Sequence, residues 1–453
     1  MAEALRQDKT VRQLRLLSDA LDSGRLGPVR RMVNTLTPAE IGNLLESLPP
    51  AKRSVMWGLV DPEDDGEVLV HVGDEVRESL IAEMDDDELV AAVEDLDIDD
   101  LADLVEDLPD AVIDEVLKSM DRENRERLEQ VLSFDEDTAG RLMNPDVVTV
   151  RADTSIDVVL RYLRLRGELP DNTDHLYVVN KRHQLMGWVA LQDLVTHEGS
   201  TPVNQLIDDE LESIHVEDSA EEVARRFSDN DWVSAPVVDD ANILLGRITV
   251  DDVVDIIREQ AEHQALGAAG LDDDEDLFSP IPRAVRGRMV WLCINLGTAF
   301  LAASVIGQFE GTIQHIVALA VLMPIVAGIG GNAAVQVLTL MVRGLALGQV
   351  GGSNARTLLW KEVRVAMING VLIGGLVGLI ALVWFREWKL SMVIGLALII
   401  NFTCAALAGV LLPLLMKRMR IDPAVAGTVV VTAVTDVMGF LSFLGLATLI
   451  LLK

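Results

Sequence analysis

The sequence predicts a three-part, mostly helical protein: an α-helical superhelix of short helices, an α/β tandem pair of β-α-β-β-α units, and an all-α membrane domain of five transmembrane helices. Three observations predict it. Charge and hydropathy are segregated along the chain, five long apolar stretches crowd the C-terminal third, and one pattern recurs after about 60 residues. A chain of 453 residues is also too long for one ordinary domain.

The formal charge is −34, yet half of the residues are hydrophobic. From Arg286 to Lys453 there are twelve basic residues and five acidic ones (Glu310, Glu362, Glu387, Asp422, Asp436), a net of +7, which leaves −41 for residues 1–285. A front that acidic excludes nucleic acid and anionic membrane surface as its partner and suits cations or basic proteins. The only cysteines, Cys293 and Cys404, lie in apolar segments and form neither a disulfide framework nor a thiolate metal site. The N-terminus, MAEALRQDKTVRQLR, has no hydrophobic signal core, so the front is expected to stay in the cytoplasm.

The superhelix is read from residues 10 to 130. Short apolar helical faces recur about every 12 residues: Leu89-Val90-Val93-Leu96, Leu101-Leu104-Val105-Leu108 and Val112-Ile113-Val116-Leu117. Asp85-Asp86-Asp87, Asp97-Ile-Asp99-Asp100 and Pro109-Asp110 stand before them as start signals. Each helix is too small to stand alone, so they must stack. Aspartates at helix starts cap free N–H groups and complement the dipole. Capping does not need so many, and the excess repels itself without counter-cations.

The tandem pair is read from two copies. The first runs Met143-Asn-Pro-Asp-Val-Val-Thr-Val-Arg, a helix, Leu176-Tyr-Val-Val, then Leu185-Met-Gly187-Trp-Val-Ala-Leu-Gln-Asp193. The second runs Leu211-Glu-Ser-Ile-His-Val, a helix with Ala224-Arg-Arg-Phe, Ala235-Pro-Val-Val, then Leu244-Leu-Gly246-Arg-Ile-Thr-Val-Asp-Asp252. Each reads β-α-β-β-α with a turn glycine before the last strand, and the pair resembles a tandem CBS module. Such modules often bind adenine nucleotides through a Thr-x-x-Asp pattern. Thr249-x-x-Asp252 matches it, whereas the first copy has Ala190 in place of the Thr. The resemblance therefore makes ATP a candidate ligand at Thr249 and Asp252. Residues 253–285 follow as a linker, in which Asp255, Glu259 and Glu262 share one helical face before the acidic run Asp272–Asp276.

The membrane domain is read from apolar stretches at about 288–307, 314–342, 364–385, 391–416 and 424–452, each long enough to cross roughly 30 Å of hydrocarbon. Basic residues crowd alternate flanks: Arg286 and Arg288; Arg343, Arg356, Lys361 and Arg364; Lys417, Arg418 and Arg420. That asymmetry puts the N-terminus in the cytoplasm and the C-terminus outside. Asp436 lies mid-helix with no Lys or Arg nearby in sequence, and a carboxylate there is costly unless it faces water, a cation or a partner. The second stretch reads Pro324-x3-Gly328-x-Gly330-Gly331-Asn332-x3-Gln336, which predicts irregular backbone lining a wet path, the alternative being small residues that permit tight helix packing. Asn295, Asn369 and Asn401 are read as interhelical glue. All the candidate ligands are oxygens, which favours a hard divalent ion. A largely hydrated Mg²⁺ held by one Asp per subunit fits that set.

Taken together, the pieces resemble the MgtE magnesium transporter family over nearly the whole chain. The resemblance is carried by Phe134-Asp-Glu-Asp-Thr-Ala-Gly140-Arg-Leu-Met143, by Gly246-Arg-Ile-Thr-Val-Asp251-Asp-Val-Val-Asp255, and by Phe309-Glu310-Gly311. Pro324 to Gln336, Arg343-Gly-Leu-Ala-Leu-Gly348, and Asp422-Pro-Ala through Asp436 complete it, in the family order. It implies an acidic helical N domain (1–133), two CBS motifs (134–202 and 203–258), a plug or connecting helix (259–286) and a five-helix pore domain (287–453). It implies a homodimer in the bacterial inner membrane, with lipid and Mg²⁺ as its partners and no nucleic acid. The pore would lie on the dimer axis between the second and fifth helices, with Asp436, Gly328 and Asn332 recognising hydrated Mg²⁺. Cytosolic Mg²⁺ would hold it shut through Glu67, Asp99 and Asp103 of the helical domain and Glu217 and Asp229 of the CBS pair. Asp251, Asp255, Glu259 and Glu262 would serve at the CBS–plug junction, and Asp422 at the pore's cytoplasmic edge.

The chain departs from the family pattern at Ile329, Ala334 and Val335 of the glycine motif, at Gly427-Thr428, where a proline is expected, and at His263, where the plug carries an acid. The alternative function is transport of another hard divalent ion, Mn²⁺, Co²⁺ or Ca²⁺. An enzyme is not expected: the sequence has no phosphate-binding Gly-rich loop, nucleophile–base pattern or metal-hydrolase motif, and its seven histidines are scattered.

Overall fold

A computed structural model of the chain describes residues 17, 19–21, 26–94, 96–105, 107–167, 169–170, 172–208, 212–271, 276–351, 354–419 and 421–452. Arg420, Leu211, Lys453 and most of the acidic run 272–276 lie outside them. The described residues up to Gln260, with 276–279, form one compact unit, and those of 261–271 and from Pro280 onward form the second.

Among the described residues from Leu26 to Val131 the first unit has nine short helices: α1 (Leu26–Val33), α2 (Pro38–Glu46), α3 (Pro50–Trp57), α4 (Asp65–Val70), α5 (Asp74–Ile81), α6 (Asp86–Val93), α7 (Ile98–Val105), α8 (Asp110–Ser119) and α9 (Arg122–Val131). One acidic start signal caps as read, whereas the N-cap of α8, Pro109, makes no side-chain cap bond. Asp85 accepts from the Glu88 amide at 3.0 Å while the Glu88 carboxylate accepts from the Asp85 amide, closing a capping box at α6. Thr37 and Glu40 do the same at α2. The stacking has a step of two: α2 packs on α4, α4 on α6 and α6 on α8. Each helix buries one apolar stripe, including Leu89, Val93, Leu101, Leu104, Val112 and Val116.

Two glycines permit this stacking. A Cβ at Gly66 would stand 1.9 Å from the Ala92 carbonyl oxygen, and one at Gly42 would stand 2.9 Å from that of His71. Both obstacles are backbone, which has little freedom to retreat. Gly66→Ala is expected to destabilise the first unit by about 1–3 kcal/mol. Thermal or urea unfolding of the full chain reads this, and an unchanged midpoint would exclude the close approach.

The pair of β-α-β-β-α units follows a short α10 (Ala139–Leu142). The first has β1 (Thr149–Arg151), α11 (Ile156–Arg166), β2 (His175–Val179), β3 (Leu185–Ala190) and α12 (Leu191–Thr196). The second has β4 (Ile214–His215), α13 (Ala220–Asn230), β5 (Ser234–Val238), β6 (Leu244–Thr249) and α14 (Val250–Ala269). In each sheet the first strand pairs parallel and the last antiparallel with the middle one. Gly187 and Gly246 are not the turn residues. They lie inside β3 and β6, beside matching register shifts at Val178/Val179 and Val237/Val238. The left-handed turn positions are His183 and Asn242, both at φ 59°.

One apolar core runs from the superhelix into the second β-α-β-β-α unit, joining Leu101 and Leu104 to Ile214, Phe227 and Val253. The first unit of the pair has its own core around Ile156, Leu176 and Val189. Residues 276–279 close back onto the superhelix. Arg53 and Asp276 form a buried ion pair at 2.7 Å, and the Asp276 amide donates to Glu75 at 3.1 Å. α14 is one unbroken helix, so the expected boundary at 258/259 falls within it.

Among the described residues the second unit contains five long apolar helices: α15 (Ile281–Gln308), α17 (Ala318–Ala346), α18 (Ala355–Phe385), α19 (Trp388–Arg418) and α20 (Pro423–Leu451). A short α16 (Glu310–His315) takes up part of the second expected stretch. α19 is the hub, packed on α18, α17 and α20, and is far more enclosed than α15. The irregular backbone expected in the second stretch is absent: α17 stays helical through Pro324 and the glycines. One proline removes a single helix hydrogen bond, and here the glycines serve close packing instead.

Candidate cation sites

The first candidate lies between α17 and α20. At four-residue steps, Pro324, Gly328, Asn332 and Gln336 form one open face of α17. A Cβ added at Gly328 would meet no atom within 4 Å. The helix behind that face is tightly packed, for Val326, Gly330, Ala334 and Leu338 are all buried. Two contacts set the level of Asp436 on α20, which is half-buried. Gly331 faces Thr432, one turn before it, with its Cβ position 3.6 Å from the threonine methyl. Gly439, three residues after it, packs against Val326. Asp436 therefore stands at the level of Gly328 and Asn332. It is the only acid of the five helices that is not within the first turns of a helix.

The second candidate lies in the first unit, where α7 meets the start of α14. Asn144, itself buried, donates to Asp99 at 3.1 Å and to Asp97 at 3.3 Å, and Arg141 donates to the Ala102 carbonyl at 2.6 Å. These bonds dock α7 onto α10 and Asn144, whose backbone in turn pairs with Arg247 of β6 in the second β-α-β-β-α unit. Docking brings Asp99 and Asp100 to Asp252. Burial, then repulsion from Asp252, pushes Asp99 well above the usual carboxylate range. The same two causes raise Asp100 to about 7. Burial raises Asp252 to about 6, opposed by its bond from the Thr249 amide. Asp103 and Asp251 add repulsion at the edge. On α14, Glu259 is raised by burial and by Asp103, Asp255 and Asp74, with Arg77 offsetting part of it.

Of the expected regulatory residues, the structure thus gathers Asp99, Asp103 and Asp251, and sets Glu259 with Asp255. Sequence reading missed Asp100 and Asp252 as members. Their one visible signal is the Asp97-Ile-Asp99-Asp100 run, richer in carboxylates than a cap requires. Thr249 and Asp252, expected to meet a nucleotide, bond to each other: the Thr249 amide and hydroxyl donate to Asp252 at 3.1 and 3.0 Å. Glu67, Glu217 and Asp229 are exposed, outside the carboxylates that act on Asp99, Asp100 and Asp252. Among the described residues no group of three carboxylate, imidazole or thiolate side chains already stands at metal-ligating distances. A cation would have to draw these carboxylates together.

In the second unit, Asp422 caps α20 by accepting from the Ala424 amide at 2.7 Å. Its other oxygen meets His263 of α14 at 2.6 Å. Glu262 is exposed beside it. His263, at the position where the resemblance implies an acid, thus reaches the carboxylate expected to bind a cation.

Comparison with known proteins decides the family. Residues 323–446 match a family described as a divalent cation transporter, 36–137 match the MgtE intracellular N domain, and 139–199 and 203–259 match CBS domains. The magnesium transporter MgtE of Enterococcus faecalis is 30% identical over 439 residues, spanning 96% of this chain and 97% of that one. The chain belongs to the MgtE family. The MgtE magnesium transporter of Thermus thermophilus is also 30% identical, over 96% of this chain and 98% of its own. That of Bacillus subtilis is 26% identical over 99% of both. Among solved structures, the cytosolic domain of the Mg²⁺ channel MgtE in complex with ATP is similar at 30% identity, covering 53% of this chain and 98% of that one, with a TM-score of 0.48. The soluble part of a magnesium transporter is similar at 24% identity, covering 56% of this chain and 99% of that one, with a TM-score of 0.47. As an MgtE-family member the chain is a membrane protein with a soluble cytosolic part that contains CBS regulatory domains.

Proposed function

We propose that the chain is a homodimeric Mg²⁺ channel that admits magnesium through a path between α17 and α20 and is held shut by cytosolic Mg²⁺. The observation that carries the reading is the open face of Gly328, Asn332 and Gln336 at the level of Asp436, in a mostly apolar bundle. Backbone and amide oxygens with one carboxylate suit an ion that keeps its water shell. A second copy across the open face doubles the carboxylate and encloses the path. An exposed apolar stripe on α11 (Val158, Tyr162 and Leu165, the last 81% exposed) supports a dimer through the CBS pair as well. The reading includes the division into N domain, CBS pair, connecting helix and pore, with the C-terminus outside the bacterial inner membrane. It involves no covalent chemistry. ATP at Thr249 and Asp252 belongs to it through the Thr-x-x-Asp pattern, and its binding would exchange the Thr249–Asp252 bonds for bonds to the nucleotide.

Closure follows from the acid cluster. Without a cation, Asp99, Asp100 and Asp252 repel one another or hold protons, and the docked arrangement is penalised. A divalent ion removes that penalty and so favours the docked state by its differential affinity. Glu67, Glu217, Asp229, Asp251, Asp255, Glu259, Glu262 and Asp422 extend the same logic to neighbouring faces.

Mg²⁺ uptake into proteoliposomes, with Mn²⁺, Co²⁺ and Ca²⁺ as competitors, tests the reading. Mg²⁺ flux with weak competition supports it. Flux of another divalent ion without Mg²⁺ flux transfers the assignment to that ion, and no cation flux removes it.

The raised carboxyls give a pH dependence. Their folded pKa values lie above the ordinary 3.8, so the metal-free docked state is favoured below about pH 4 and loses stability as pH rises through 6 to 7. Mg²⁺ must displace protons from these groups, so its affinity falls as pH drops below about 7. The thermal shift produced by Mg²⁺ is expected to be large at pH 8 and small at pH 5.5. Equal shifts at both would remove the cluster from the sensor.

A further inference from the structure

Asn401 lies at the centre of the hub helix α19 and is 0% exposed. Its side-chain Nδ2 donates to the Val326 carbonyl of α17 at 3.0 Å. That bond fixes the amide's orientation, because the reverse would set two oxygens against each other. Two glycines make room for it. A Cβ at Gly330 of α17 would stand 2.0 Å from Nδ2, and one at Gly439 of α20 would stand 2.8 Å from the same atom. One side chain from α19 is therefore wedged between both helices of the candidate path, two residues from Gly328 and three from Asp436.

The other end of the amide differs. Oδ1 is buried with no hydrogen-bond partner among the described residues. A residue kept only to join helices would satisfy both ends, or be replaced by leucine, which has similar size and leaves no orphaned acceptor. A polar group retained inside a membrane bundle at such a cost points to function.

We propose that Asn401 is the positioning residue of the cation path: from α19 it sets the separation of α17 and α20 where Gly328, Asn332 and Asp436 face the ion. The proposal rests on the channel reading given above. Asn401 touches no ion. It acts through the backbone at Val326 and through the two glycines that admit it. Its unused acceptor makes this joint able to adopt a second arrangement, because any movement of α17 that brings an N–H within reach is favoured.

The test compares full-length wild type, Asn401→Leu and Asn401→Ala in proteoliposomes at matched folded protein. Mg²⁺ uptake is measured against Mg²⁺ concentration and against Mn²⁺ as competitor. The expected result is a folded Asn401→Leu protein whose half-saturating Mg²⁺ rises, and whose preference for Mg²⁺ over Mn²⁺ falls, by about tenfold or more. Asn401→Ala gives the same two shifts and is decisive where the leucine variant fails to fold. An unchanged half-saturation and an unchanged ion ratio overturn the proposal. So does a lowered maximal flux at unchanged half-saturation and unchanged ion ratio, which marks Asn401 as structural only. Absence of Mg²⁺ flux in the wild type overturns the channel reading instead, and the two failures are distinct.

Discussion

Asp436→Ala is expected to abolish Mg²⁺ uptake while leaving the protein folded and at least as stable. The two halves of this prediction point in opposite directions, which gives it its force. A carboxylate at the centre of a membrane helix costs about 2.5–3.5 kcal/mol on insertion scales. Removing it relieves that cost, so expression and thermal midpoint should hold or rise. Transport should do the reverse. Asp436 is the one mid-helix acid of the bundle, and it stands at the level of Gly328 and Asn332. Loss of a charge-assisted contact worth about 3 kcal/mol corresponds to roughly a 100-fold fall in uptake. Asp436→Asn keeps the shape and should lose nearly as much. Asp436→Glu keeps the charge one methylene further out and should fall between. Undiminished uptake by the alanine variant would remove Asp436 from the path.

Much of this was legible before the structure, wherever the determinants are local. The aspartates before residues 89, 101 and 112 mark real helix starts at Asp86, Ile98 and Asp110. The five membrane helices follow from runs of apolar residues, and the two β-α-β-β-α units from a repeated order of strand and helix. Local signals failed where tertiary packing decides. Gly187 and Gly246 look like turn residues, yet they serve bulges within strands, while the turns fall at His183 and Asn242. Pro324 and its glycines look like an unwound segment. The helix persists because Gly330 and Gly331 are used to admit Asn401 and Thr432. Asn401 reads as glue in sequence, since only the packed bundle reveals its contact with two helices and its unpaired oxygen. Asp100 and Asp252 lie far apart in the chain, so spacing alone cannot join them.

Neutralising that pair is the second large effect. Asp100→Asn with Asp252→Asn is expected to leave a channel that cytosolic Mg²⁺ no longer closes. Asp100 is raised to about 7 by burial and by repulsion from Asp252, and Asp252 to about 6 by burial and by repulsion from Asp251 and Asp103. Asparagine removes the repulsion without changing size, so the metal-free docked state should gain stability. The same change removes what the cation acts on. Under the proposed function, Mg²⁺ at a hundred times its dissociation constant would stabilise the wild-type docked state by about 2.7 kcal/mol. The double variant should lose most of that, and its inhibitory Mg²⁺ concentration should rise by about tenfold or more. Thermal shift and uptake at graded internal Mg²⁺ read the two consequences separately. A variant stabilised without metal and insensitive to it supports a sensor in which the ion replaces protons and relieves repulsion between α7 and α14. A variant with an unchanged Mg²⁺ shift and unchanged inhibition would move the sensor away from this cluster, toward the faces that carry Glu259 or Asp422.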